Sequence, residues 1–62
     1  MEQKITVRQS VTNGLSVYLS VVLDHSTDSV WFEVRSIRGT SVFNDLRSAK
    51  VCFEKCEKEV AK

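Results

Sequence analysis

The sequence predicts an α+β domain of two layers, a three-stranded antiparallel β-meander packed on one C-terminal α-helix (βββα). Two observations carry this reading. The first two-thirds of the chain alternate apolar and polar residues, whereas the last third repeats its apolar residues at spacings of three and four. These are the periods of a half-buried strand and of an amphipathic helix. At 62 residues there is room for one core and no second domain, near the lower size at which a core holds a fold without staples.

Strand one spans about residues 4–11, with Ile5, Val7 and Val11 on one face and Gln9 interrupting them. Strand two, about 15–24, sets Leu15, Val17, Leu19, Val21 and Leu23 against Ser16, Tyr18, Ser20 and Val22. Strand three, about 29–38, has Val30, Phe32 and Val34 in one row and Trp31, Glu33 and Arg35 in the other. β-Branched and aromatic residues dominate all three, as a pleated half-buried surface favours.

The turns then set the register, because a slip of one residue moves every side chain to the other face. A two-residue Asn13-Gly14 turn would set Val11 against Ser16 and Ser10 against Val17. A three-residue loop, Thr12-Asn13-Gly14, with Gly14 left-handed, is therefore expected, pairing Val11 with Leu15, Gln9 with Val17, Val7 with Leu19 and Ile5 with Val21. The loop "HSTD" pairs Leu23 with Val30, Val21 with Phe32 and Leu19 with Val34, which makes strand two central. "IRGTSVFND" reads as a turn in which Gly39 ends the strand and Asn44 or Asp45 caps a helix over about 45–60. Leu46, Ala49, Phe53, Cys56 and Val60 form its apolar stripe, while Lys50, Glu54, Lys55, Lys58 and Glu59 make a solvated face of mixed charge.

Composition narrows the function classes. The charged fraction is 27%, proline is absent and the formal charge is +1. This balance lacks the diffuse basic footprint of a strong nucleic-acid binder. No apolar run reaches the roughly 20 residues of a membrane span, and the start "MEQKITV" lacks the layout of a signal peptide. A cytoplasmic protein with no membrane partner is the expectation. Cys52 and Cys56, four apart on the helix and far from the single His25, do not make a zinc set and read as reduced thiols packed as small hydrophobes.

The expected register leaves one sheet face without a cover. It displays Lys4, Arg8, Tyr18, Val22, Trp31, Arg35 and Ile37, with Tyr18 between two arginines and Trp31 beside Val22. Such a face can simply stabilise a thin sheet through aromatic and cation–π pairs. It also offers the Trp, Tyr and Arg anchors of a protein interface, either a homodimer or a different protein. The alternative is nucleic acid, bound by the basic and aromatic face. In its strand-strand-strand-helix order, over most of its length, the chain resembles the AP2-type and integrase arm-binding DNA domains. That resemblance of layout implies reading of a major groove by the exposed sheet face.

No constellation for catalysis is visible: the two glycines are far apart, and Asp24, His25, Ser26 and Asp28 are the residues a hairpin turn needs for its own hydrogen bonds. The expectation is a small non-enzymatic binding domain that takes no cofactor, metal or small-molecule substrate and works through the seven residues of its open face, by self-association or by docking to a protein.

Overall fold

The computed structural model describes residues 2–61. It shows a four-stranded antiparallel sheet of order β1-β2-β3-β4 with one helix on one face. The strands are β1 (Glu2–Thr12), β2 (Leu15–Asp24), β3 (Ser29–Ser36) and β4 (Gly39–Phe43), followed by α1 (Leu46–Val60). The α+β two-layer class is as expected, and the meander gains a fourth strand. "GTSVF" pairs with β3 rather than forming a turn, with Ser36 opposite Gly39 and Phe32 opposite Phe43. The third strand therefore stops at Ser36, and the chain reverses through Ile37 and Arg38. A conformation at φ 121° at Gly39, open to glycine and strained for other residues, permits this reversal.

The β2–β3 register is the one expected, with Leu23 opposite Val30, Val21 opposite Phe32 and Leu19 opposite Val34. The β1–β2 register is not. Asn13 and Gly14 form a two-residue turn, at φ 55° and 76°, which matches the preference of Asn-Gly for turns with two positive φ values. Thr12 then opposes Leu15, Val11 opposes Ser16 and Arg8 opposes Leu19. The mismatch this creates is absorbed within β1. The pairing slips between Thr6 and Arg8, leaving Val7 as an extra residue, and beyond it Ile5 meets Val21 as expected. A β-bulge thus lets the turn keep its favoured geometry while the first half of β1 keeps its apolar row.

The core lies between one end of the sheet and the helix. Val17, Leu19 and Val34 meet Ala49, Phe53 and Val60, with Leu15, Phe32, Phe43, Cys52 and Cys56 around them. The helix starts where β4 ends, with the Asp45 carboxylate accepting from the Ser48 backbone N–H at 2.9 Å, an N-cap that satisfies one of the four orphan amides. Its other end meets the first turn, where the Asn13 side-chain amide donates to the Val60 carbonyl at 3.0 Å. Arg38 pairs with Glu59 at 3.3 Å on the surface nearby. Arg8, carried to the helix side by the bulge, stands 5.1 Å from the centre of the Phe53 ring, in cation–π range.

Three expectations follow. Asn13→Gly keeps the turn but removes the link to Val60, and should lower unfolding free energy by about 0.5–1.5 kcal/mol in urea melts. Asn13→Asp should lower it further, because a carboxylate would face the negative end of the helix. Deletion of Val7 leaves every pair of the β1–β2 ladder in place, so the shortened chain should still unfold cooperatively; loss of the folded state would show that the slip lies elsewhere.

Candidate functional site

The sheet face opposite the helix has no covering layer among the described residues, and its composition follows from the bulge. Its rows are Glu2, Asp24 and Ser29; Lys4, Val22 and Trp31; Thr6, Ser20, Glu33 and Val42; Gln9, Tyr18, Arg35 and Thr40; and Val11 beside Ser16. Of the seven residues expected there, Lys4, Tyr18, Val22, Trp31 and Arg35 share the face. Arg8 does not: it sits on the helix side opposite Leu19, and Gln9 takes its place beside Tyr18. Ile37 is in the β3–β4 turn rather than opposite Ser16, although its exposed side chain still borders the face.

The two ends of the face differ. At the Trp31 end, Lys4 Nζ on β1 reaches Glu33 Oε1 on β3 at 2.8 Å, and the Trp31 indole N–H donates to Glu33 Oε2 at 3.3 Å. This ion pair crosses above β2, which lies between those strands. It explains why Val22 is 0% and Ser20 only 6% exposed on a face with no second layer: long side chains lay their stems over apolar neighbours. Val22 is consequently unavailable to a partner, and Trp31 is half-buried. The Lys4 hydrogen bond, and after it that of Trp31, hold the Glu33 carboxyl below its ordinary value of 4.5 against the opposing effect of desolvation.

At the other end the face is open. A groove of about 570 Å³ is bordered by Lys4, Thr6, Tyr18, Ser20, Glu33, Arg35 and Ile37 together with the start of β2. Arg35 is exposed and takes part in no salt bridge among the described residues. The sequence reading missed Gln9, Val11, Thr40 and Val42 on this face. Val11 and Gln9 were obscured by the demand for unbroken alternation, although the Asn-Gly pair signalled the tighter turn. Thr40 and Val42 were hidden because β4 is five residues long.

The hairpin acids perform turn chemistry. Asp24 Oδ1 accepts from the Ser26 N–H at 3.1 Å and its hydroxyl at 2.6 Å, and these bonds, the hydroxyl's first, draw its pKa below the ordinary value. Asp28 takes the left-handed conformation at φ 55°, which Asp tolerates better than most residues. On the helix, burial and then the neighbouring Cys56 push the Cys52 thiol above its ordinary value of 9.0, which keeps it protonated and weakly nucleophilic. Among the described residues, no three His, Cys, Asp or Glu side chains gather as metal ligands, and no helix is long and apolar enough to cross a membrane. Compared with protein-family models, curated proteins and solved structures, the chain matches none.

The Glu33 contacts give the indole a pH response. A carboxylate whose folded-state pKa lies below its unfolded value stabilises the fold above that unfolded value, and the contribution is lost as pH falls through the folded one. Trp31 fluorescence should therefore titrate with a midpoint below 4.5, and Glu33→Gln should abolish the transition. Because Lys4 is half-exposed, the accompanying stability change should stay within about 1 kcal/mol.

Proposed function

We propose that the protein is a small non-enzymatic interaction domain that binds a protein segment along the open end of its sheet face. The observation that carries this reading is the groove in which Tyr18, Arg35 and Ile37 come together. Tyrosine and arginine are favoured anchors of protein interfaces, and an arginine without a carboxylate partner among the described residues suits an acidic residue flanked by apolar ones. The nucleic-acid reading draws less support. Arg8 has left the face and Lys4 is paired with Glu33, whereas phosphate binding depends on clustered free cations.

A photo-crosslinking residue at position 37, with position 54 on the solvated helix face as control, tests this in cells. Discrete protein adducts are expected from position 37 and not from 54, and Arg35→Glu should reduce them about tenfold or more, as loss of an anchor worth roughly 2 kcal/mol requires. Identical adducts from both positions would overturn the reading. Binding of labelled DNA or RNA at low salt that disappears with Arg35→Glu would replace it with the nucleic-acid one.

A further inference from the structure

The two cysteines of the helix stand together, on the other side of the sheet from the open face. Cys52 and Cys56 are four residues apart on α1, so their side chains lie one above the other on the same helical face. That face looks onto β3 and β4. A cleft of about 230 Å³ between the helix and these strands is lined by both cysteines together with Val34, Ser41, Lys55 and Arg38. Both thiols are half-buried, at the margin of the core rather than within it. Cys56 is near enough to act on the Cys52 sulfur as a hydrogen-bond partner, and Ser41 reaches the same sulfur from β4.

Two neighbouring thiols invite a disulfide, and the helix opposes one. Cβ atoms four residues apart on an α-helix are separated by about 5–6 Å, whereas a disulfide needs about 3.5–4.5 Å. Closing the bond would distort the turn that holds Phe53 in the core. One atom bonded to both sulfurs suits the wider gap, since two metal–sulfur bonds of about 2.3 Å in line span about 4.6 Å. Thiolates select soft metals: Cu(I), zinc and iron–sulfur clusters. Zinc and the clusters are held by four ligands, and among the described residues no three Cys, His, Asp or Glu side chains gather. Cu(I), a closed-shell ion that accepts two ligands in line, is the one that fits. Two thiolates around it leave one net negative charge. Arg38 in the same cleft is paired with Glu59, which leaves Lys55 to offset that charge.

From this geometry we infer that Cys52 and Cys56 form a two-coordinate site for Cu(I) on the helix wall of the cleft beside β3 and β4. On binding, two S–H bonds break, two Cu–S bonds form and both protons pass to solvent. The ion stays Cu(I) and the sulfurs stay thiolates, so no oxidant or reductant takes part. Ser41, beside the Cys52 sulfur, supplies the outer hydrogen bond that orients a metal ligand. The site joins two successive turns of α1 and lies across the sheet from the groove bearing Tyr18 and Arg35.

Anaerobic titration of the reduced protein with Cu(I), in competition with the chelator bicinchoninate, tests the inference. One ion per chain is expected, with X-ray absorption showing sulfur as its only neighbours. Cys52→Ser and Cys56→Ser should each weaken binding at least about a hundredfold, more than the loss of an outer partner costs. A further variant keeps two thiols but separates them. Cys56→Ser with Glu54→Cys sets the second thiol two residues from Cys52, on another face of the helix, and should bind as weakly as the single variants while circular dichroism shows the helix retained. Wild-type affinity in that variant would mean that any two thiols suffice, and would overturn the site. One ion per two chains, displacement of Cu(I) by equimolar zinc, or a Cys52–Cys56 disulfide formed in oxidised glutathione without loss of helical signal would overturn it equally. Those results leave the open-face reading untouched, since that rests on adducts at position 37.

Discussion

The rest of this structure depends on how β1 reconciles a turn with a core. The Asn13-Gly14 pair imposes a two-residue turn with both φ values positive, and that turn fixes which β1 residue faces which β2 residue. Carried unbroken along the strand, the resulting ladder would send Ile5 to the wrong face. One unpaired residue at Val7 restores the row. Everything N-terminal to the bulge obeys the apolar pattern, and everything between it and the turn obeys the turn. The exchange of Arg8 for Gln9 on the open face, and the cation over Phe53, are consequences.

The helix is tied to the same end of the sheet by that turn. Asn13 serves two purposes: its backbone takes the left-handed conformation and its side chain satisfies a carbonyl at the helix C-terminus. A helix of this length anchored there reaches only as far as the end of β4. On the helix side the buried residues accordingly cluster at one end, where Val17, Leu19 and Val34 face Ala49, Phe53 and Val60. Strand residues of the same apolar character farther along, such as Ile5 and Val30, are left about half exposed. Chemical type is equal at the two ends; helix reach separates core from surface.

The uncovered face shows how a thin sheet can protect apolar side chains without another layer. The Lys4–Glu33 pair is half open to solvent on the lysine side, and as an ion pair it contributes little. Its structural effect is to hold two long side chains across β2, so that Val22 and Ser20 are withdrawn from water. That leaves a face with a closed end around Trp31 and an open end around Tyr18 and Arg35. The residue most suggestive of an interface by type, the tryptophan, is engaged within the chain, and the groove lies elsewhere on the face.

The α+β class, the central place of β2, the β2–β3 register and the helix stripe were legible in the sequence, because each rests on a local period and on turn residues close to the elements they join. The fourth strand was less legible, being short and placed where Gly39 reads as a stop. Of the candidate surface, Lys4, Tyr18, Val22, Trp31 and Arg35 were assigned to the correct face, while Arg8 was not. The sequence by itself determined which residues are apolar, where the chain turns and which end of the helix is capped. Only the tertiary structure decided where β1 slips, which half of each sheet face is covered and which arginine stays on the open face, because those depend on how a turn preference and an apolar row trade off across two strands and on how far one helix reaches.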